Sequence, residues 1–444
     1  TQEGNMTPIY KEARFPAHYR QNQVRQIMDA VYRWRSIAIT GLASMGKSNV
    51  VRFVVSHPQV RSRYLKERAE DTVFVHVDCA GLAGGDETEI LDEIVAQLYY
   101  ERLAAGVAPS APAAGNVRRL LKAQILSLAP GLHLVLVLDY FDEAAAKVGR
   151  AFFNYLFHLR NTRPRGNLSY IFATRRPLGH LYELHELLDD GCVVGPLDYQ
   201  DALDSIRRDE ERMGCTFDAA QRDRLVACTG GHPGLLKNAA ELLGSGKVDA
   251  SRPLEEMARQ LLASDKVQNL CQELWDDLTP AEQGTLLNVA RGIPLSGSTD
   301  GECVAFLERN GILVKRQGRW EVFGPLFAAF VRDQASADRS ARITASPPNR
   351  ARIETASAAR EVELSPRLFA LLLALTEARG QVVSNDALIC HVYGDEAAGG
   401  VSNAALSQLI KRLRGALDPH VREMVDDPTY TCVETIRGVG YRLD

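Results

Sequence analysis

Residues 35–55 read RSIAIT, GLASMGKS and NVVRFVV, and this stretch decides the architecture of the first half of the chain. The first six residues form a short apolar strand. The last seven place Val50, Val51, Phe53 and Val54 at helical spacing. Between them lies GxxxxGK[ST], so the order is strand, glycine-rich loop, helix, the context that a phosphate-binding P-loop requires. Gly41 and Gly46 let the backbone turn tightly, so that the N–H groups of the loop, from Ser44 and Met45 through Asn49, converge on phosphate oxygens. The helix that follows directs its positive end at the same phosphates. Lys47 is placed to reach the β- and γ-phosphates, and the Ser48 hydroxyl to bind Mg²⁺. The competing reading is a chance glycine-rich turn; the flanking strand and helix favour the nucleotide.

Further along, residues 133–138 (HLVLVL) are an unbroken apolar run, as in a parallel strand buried on both faces. The run ends in Asp139-Tyr140-Phe141-Asp142-Glu143. An acid at the carboxyl end of such a strand lies where open α/β sheets bind ligands. Asp139 is expected to hold Mg²⁺ through Ser48 or water. Asp142 or Glu143 either polarises the attacking water or caps the next helix, expected over 144–160. Residues 72–77 and 168–173 are further strands, and the latter leads into Thr174-Arg175-Arg176, where a basic side chain can sense the γ-phosphate. Alternation of strands and helices predicts a parallel sheet. The basic loop 160–165 is either a solvated loop or the source of an arginine acting in trans on a neighbour's nucleotide.

The chain has 444 residues, 45% hydrophobic and 24% charged, which excludes a wholly disordered or collagen-like polymer and predicts several domains. No apolar run is long enough to span a membrane, and residues 1–5 carry no apolar leader, so a cytoplasmic chain is expected. Eight scattered cysteines without a CxxC pair fit buried thiols better than a zinc site.

The order of the motifs resembles the STAND ATPases, signal-transduction relatives of the AAA+ and origin-recognition ATPases. The P-loop, the Asp-x-x-Asp-Glu box, Thr174-Arg175 and Thr229-Gly230-Gly231-His232-Pro233-Gly234 carry the likeness, which covers about residues 10–335. It implies ATP or ADP with Mg²⁺ as ligand and slow hydrolysis used as a switch. It also implies that His232 and Pro233 pack near the nucleotide, and that Arg20, within Tyr19-Arg20-Gln21-Asn22-Gln23, lies on the adenine side. Arg175 joins Lys47, Asp142 and Glu143 as a candidate catalytic residue. The expected fold is an α/β P-loop NTPase, a parallel sheet with helices on both faces, followed by a helical lid and two winged-helix domains. The expected divisions are a tail at 1–15, the nucleotide-binding domain at 16–196, the lid at 197–265, a first winged helix at 266–335, a flexible linker at 336–359 and a second winged helix at 360–444. The linker reading rests on small, polar and basic residues around a Pro-Pro pair.

Residues 360–444 resemble the OmpR/PhoB-type winged helix-turn-helix. Ser365-Pro366-x-x-Phe369-x-Leu371-Leu372, Val383-Ser384-x-x-x-Leu388, Tyr393-Gly394, Ile410-x-Arg412-Leu413-Arg414 and Ile436-Arg437-Gly438-Val439-Gly440-Tyr441-Arg442-Leu443 carry the likeness. The family places its third helix, here expected over 402–417, in the major groove and a wing arginine in the minor groove. Carried over, Asn403, Ser407, Gln408 and Lys411 face bases, Lys411, Arg412 and Arg414 meet phosphates or bases, and Arg437 is the wing contact. Charge runs against this. The net charge of −4 falls entirely on residues 361–444, with eight basic and twelve acidic side chains. Two functions follow. One is an ATP/ADP-switched transcriptional regulator that binds double-stranded DNA and self-associates with nucleotide. The other is a signalling or defence ATPase whose C-terminal module docks a protein or acts as sensor.

Overall fold

The computed structural model describes residues 10–443 except 83–84, 105–115, 163–166, 179–186, 294, 296–297, 339–341, 356–357, 380, 395–400, 426–429 and 437–438. The chain divides into two compact units, Thr1–Phe330 and Val331–Asp444. No helix among the described residues is long and apolar enough to cross a membrane.

The first unit is built on strands β1 (Ile37–Thr40), β2 (Thr72–Asp78), β3 (His133–Asp139), β4 (Leu168–Thr174) and β5 (Asp190–Val193). They form one sheet in the order β2-β3-β4-β1-β5, and every neighbouring pair is parallel. β3 and β4 are buried at every position, which explains the unbroken apolar run at 134–138 in β3. Flanking helices are α1 (Gln21–Tyr32), α2 (Lys47–Ser56), α3 (Pro58–Leu65), α4 (Glu87–Ala104), α5 (Val117–Leu126), α6 (Phe141–Lys147) and α7 (Arg150–Thr162). Leu91 and Ile94 of α4 and Phe152, Phe153 and Leu156 of α7 share a core with Leu134, Leu136, Tyr170 and Phe172 of the sheet. The single helix expected over 144–160 is two helices, because the chain leaves helical geometry at Val148 and Gly149. β5 went unforeseen. Its DGCV sequence has no strand pattern, and it owes its conformation to pairing with β1.

The topology does the positioning. β4 lies between β1 and β3, so the parallel strands bring Gly41, Arg175 and Asp139 to one carboxyl edge.

Next come α8 (Tyr199–Met213), α9 (Ala219–Thr229), α10 (Pro233–Gly244), α11 (Leu254–Leu262) and α12 (Asp265–Asp276). They are followed by α13 (Pro280–Ala290), α14 (Ser298–Arg309), the hairpin β6 (Leu313–Arg316) and β7 (Arg319–Val322), and α15 (Pro325–Asp338). As its sequence predicts, α13 starts with Thr279 as N-cap and Pro280 at the first position; Thr279 and Glu282 close a reciprocal capping box.

In the second unit the expected linker is corrected. Most of residues 342–363 form an antiparallel sheet of β8 (Arg342–Ser346), β9 (Arg350–Glu354) and β10 (Ala359–Glu363), in the order β10-β9-β8. Only Ile343, Ala351 and Ile353 of these strands are fully buried, while arginines and glutamates line the outer positions. Three inward apolar residues spread over two strands leave too faint a pattern to outweigh the polar composition. Then come α16 (Pro366–Glu377), β11 (Val383–Ser384), α17 (Asn385–Tyr393), α18 (Asn403–Val425), β12 (Val433–Ile436) and β13 (Gly440–Leu443). The last sheet has the order β11-β13-β12, and three helices with this terminal hairpin make a winged helix. α18 runs well past the expected end at 417, through Pro419. Asp418, at the start of this Asp-Pro pair, turns its carboxylate to the Cys432 N–H at 3.0 Å. The turn signal there is overridden by burial of Leu417, Val421 and Val425.

Ile353 is fully buried beside Leu371, Leu372 and Leu375 in one core. In the full chain, Ile353→Ala is expected to lower the stability of the second unit by about 2–4 kcal/mol. Amide hydrogen exchange of α16 measures it, and unchanged protection would show that residues 342–363 are indeed a mere tether.

Candidate functional site

The P-loop connects β1 to α2. Gly46, the N-cap of α2, has φ of 87°, a left-handed conformation that glycine adopts without steric cost. Lys47 folds back over the loop and donates from Nζ to the carbonyls of Gly41 at 2.5 Å and Leu42 at 3.2 Å. The Gly41 N–H donates to the Thr174 carbonyl at 3.3 Å, which ties the loop to the end of β4. Burial pushes the Lys47 ammonium below its ordinary pKa, and the nearby carboxylates of Asp142 and Asp277 oppose that shift. Ser44 is exposed in the loop, and Asn49 is half-buried in the first turn of α2.

The Ser48 hydroxyl donates to Asp139 Oδ1 at 2.9 Å. Asp139 is 1% exposed, and its Oδ2 has no hydrogen-bond partner, with His76 Nε2 at 3.5 Å. An orphaned, buried carboxylate oxygen beside a serine hydroxyl fits a hard, oxygen-seeking cation such as Mg²⁺. Ser48 and Asp139 are thus the residues able to hold it. Tyr10 hydrogen-bonds the far nitrogen of His76 at 2.9 Å, so His76 is oriented toward Asp139 from behind.

Asp142 Oδ1 accepts the backbone N–H of Arg175, and burial pushes its carboxyl above the ordinary range. The side chain of Glu143 lies outside the described residues. The Arg175 guanidinium donates to Asp277 Oδ1 at 3.0 Å, and Asp277 Oδ2 accepts the P-loop N–H of Ala43 at 2.6 Å. Arg176 forks onto both oxygens of Glu282 at 2.8 Å and also reaches the Asp277 carbonyl at 2.9 Å.

Two more segments grip the loop. Arg20 donates from its guanidinium to the Met45 carbonyl at 2.7 Å and from its backbone N–H to Asp201 at 2.9 Å. Arg20 thus meets the P-loop backbone from just ahead of α1, where the resemblance implied an adenine-side position. His232, fully buried, caps α10 by accepting the Leu235 N–H on Nδ1 at 3.2 Å, while Nε2 lies 3.2 Å from the Ala43 carbonyl. That pattern requires the proton on Nε2. Pro233 follows at the first helical position, and a Cβ on Gly234 would come within 2.8 Å of Ser44 Cβ, so the N-terminus of α10 is packed on the loop.

In the second unit, Asn403, Ser407, Gln408, Lys411 and Arg412 lie exposed on α18; Ser407 Oγ is 3.1 Å from the Tyr441 hydroxyl. The Arg414 guanidinium donates to the Val433 carbonyl at 2.9 Å and Thr435 Oγ1 at 2.8 Å, fastening α18 to β12. Arg437 lies outside the described residues, as do the loop arginines at 163 and 165. Arg160 points inward, onto the Leu187 carbonyl at 2.9 Å and Asp189.

Asp277 and His76 escaped the sequence reading, while Arg176 stood there among the basic residues after β4 and Glu282 as part of a helix start, neither with its present partner. Asp277 stands at the end of α12 without a motif, and only its place two residues before the cap of α13 distinguishes it.

Residues 359–443 match the family described as "Transcriptional regulatory protein, C terminal". Over 85 residues the chain is 32% identical to the regulatory protein VanR of Enterococcus faecium and, equally, to the transcriptional regulator HilA of Salmonella typhimurium. The matches cover 19% of this chain, but only 34% of VanR and 14% of HilA. Among solved structures, the Walker-type ATPase PABY2304 of Pyrococcus abyssi aligns over 74% of this chain and 99% of its own, at 16% identity and a TM-score of 0.47. The Aeropyrum pernix ORC2 protein aligns over 74% and 96%, at 12% identity and a TM-score of 0.38. By its own geometry the chain carries a parallel sheet with a P-loop and a winged helix, the latter in the stretch that matches the transcriptional-regulator family.

His232 supplies a pH signature. Burial, reinforced by Arg20 and Lys47, lowers its pKa from 6.5 to about 4. Above pH 6.5 the ring is neutral folded or unfolded, so it costs nothing. As pH falls from 6.5 to about 4 the unfolded ring gains a proton that the folded one refuses, and up to about 3 kcal/mol of stability is lost. His232→Asn retains a capping acceptor without titrating. Denaturant titrations at pH 7 and 4.5 should show a smaller acid loss in the variant; equal losses would refute the assignment.

Proposed function

We propose that the chain is a STAND-type ATPase that switches between ADP- and ATP-bound states and regulates transcription through its C-terminal winged helix on double-stranded DNA. The observation that carries this reading is the grip on the P-loop: Ala43 alone is held by His232 on its carbonyl and by Asp277 on its N–H. Helices far along the chain thus depend on what occupies the loop. We read α8–α11 as the lid, and α12–α14 with the β6–β7 hairpin as a first winged helix that packs internally.

Lys47 and the N-terminus of α2 would hold the phosphates. Ser48 and Asp139 would hold Mg²⁺, which supplies charge neutralisation on the phosphate oxygens. Glu143 and Asp142 are candidates for orienting the attacking water, with Asp142 also fixing the backbone of Arg175. Hydrolysis would be slow and reset the switch. In the ATP state the chain would self-associate and align several winged helices on repeated sites. Asn403, Ser407, Gln408, Lys411, Arg412 and Arg437 are the proposed DNA contacts. A second reading keeps the ATPase and makes the C-terminal module a protein-docking or sensor domain. It is favoured by the net charge of −4 on residues 361–444 and by the withdrawal of Arg414 into the fold.

Lys47→Ala should abolish nucleotide binding in calorimetry; retained ATP affinity would refute the P-loop assignment. Replacing Lys411 and Arg412 together by Ala should weaken DNA binding and lower the slope of log affinity against log salt by about 2. Fluorescence anisotropy with and without ATP measures both. No binding of promoter-length DNA by the unmodified chain in either nucleotide state would leave the protein-docking reading.

A further inference from the structure

Asp277 sits on the P-loop in a manner none of the motifs foreshadows. It is the C-cap of α12, and its side chain is only 7% exposed. One carboxylate oxygen accepts the Ala43 N–H at 2.6 Å and the other accepts the Arg175 guanidinium at 3.0 Å. A backbone N–H of a P-loop and an arginine at the end of a neighbouring strand are donors suited to a phosphate oxygen. Here an acidic side chain of the same chain takes both. Asp277 is also one of the carboxylates whose charge is felt at Lys47, the lysine placed to serve the terminal phosphates.

We propose that Asp277 determines which nucleotide the site prefers, by occupying the place of the terminal phosphate of a nucleoside triphosphate. The inference rests on the nucleotide-binding role proposed above. A carboxylate and a phosphate are both anions and cannot share two donors without strong repulsion. A diphosphate leaves the Asp277 contacts intact. A triphosphate must break them, and its apparent affinity falls by the fraction of molecules in which Asp277 is engaged.

The displacement has a mechanical consequence. Arg176 holds the Asp277 carbonyl at 2.9 Å and grips Glu282 in α13 through paired bonds at 2.8 Å. Expelling the Asp277 side chain therefore pulls on the junction between α12 and α13, whose cap is Thr279. Asp277 is both the obstacle to the triphosphate and the handle by which its arrival reaches the following helices.

The test is calorimetric titration of the full chain with MgATP and with MgADP, in the unmodified protein, Asp277→Asn and Asp277→Ser. Asn keeps the shape and removes the charge; Ser is a smaller residue tolerated at a helix end, so at least one variant should fold, as thermal unfolding will confirm. The ratio of ATP to ADP affinity is expected to rise about tenfold or more in both variants, through tighter ATP with ADP unchanged. An unchanged ratio in a folded variant overturns the inference. So does a parallel fall in both affinities, which would make Asp277 a simple brace for the loop. If instead the unmodified chain binds neither nucleotide, the nucleotide reading itself fails.

Discussion

Backbone polar groups buried away from water need partners, and a P-loop is a strip of backbone that pairs with itself only in part. Residues 41–48 meet this constraint by drawing in several distant segments. Lys47 bends back to the Gly41 and Leu42 carbonyls, and Thr174 at the end of β4 takes the Gly41 N–H. Arg20, ahead of α1, takes the Met45 carbonyl. His232, at the head of α10, takes the Ala43 carbonyl, and Asp277, at the foot of α12, takes the Ala43 N–H. The first unit is organised around satisfying this loop. Its sheet supplies the edge, and the helices after β5 supply the remaining partners.

This explains which features were legible from the residues. A P-loop is legible because its chemistry is local: glycines, lysine and serine act within eight consecutive positions. Buried parallel strands are legible because both faces demand apolar side chains. The partners that come from elsewhere follow no local rule. Asp277 is an ordinary acid near a helix end until folding sets it 2.6 Å from Ala43. Arg414 shows the reverse. The winged-helix resemblance implies a phosphate or base contact for it, and β12 offers it a carbonyl at 2.9 Å. β8, β9 and β5 were hidden for a third reason: their apolar positions are few, and their pairing partners, not their own residues, set their conformation.

On the proposed function, the second unit has a narrow means of meeting DNA. With Arg414 bonded to β12, the exposed cations on α18 are Lys411 and Arg412, in a module that is net acidic. Phosphate contacts supply most of the non-specific affinity for a duplex, so one copy with so few has little to spend. Affinity would have to come from several copies held at high effective concentration, each adding a small term. On the proposed function, acidity would then have a use: it would suppress binding by single copies and make occupancy of a site depend steeply on assembly.

Among the contacts on the P-loop, charge sign separates those that tolerate nucleotide from those that resist it. Arg20 and His232 bring donors to carbonyl oxygens, on the side of the backbone that phosphate does not use. Lys47 brings a cation that a phosphate would also attract. None of these competes with an anion. Asp277 alone presents an anion to an N–H and to Arg175, the two kinds of donor that phosphate oxygens seek. A ligand moves an equilibrium only through a difference in its affinity for the two states. Of the segments that satisfy the loop, the one ending in Asp277 is therefore the one whose position we propose a terminal phosphate to change.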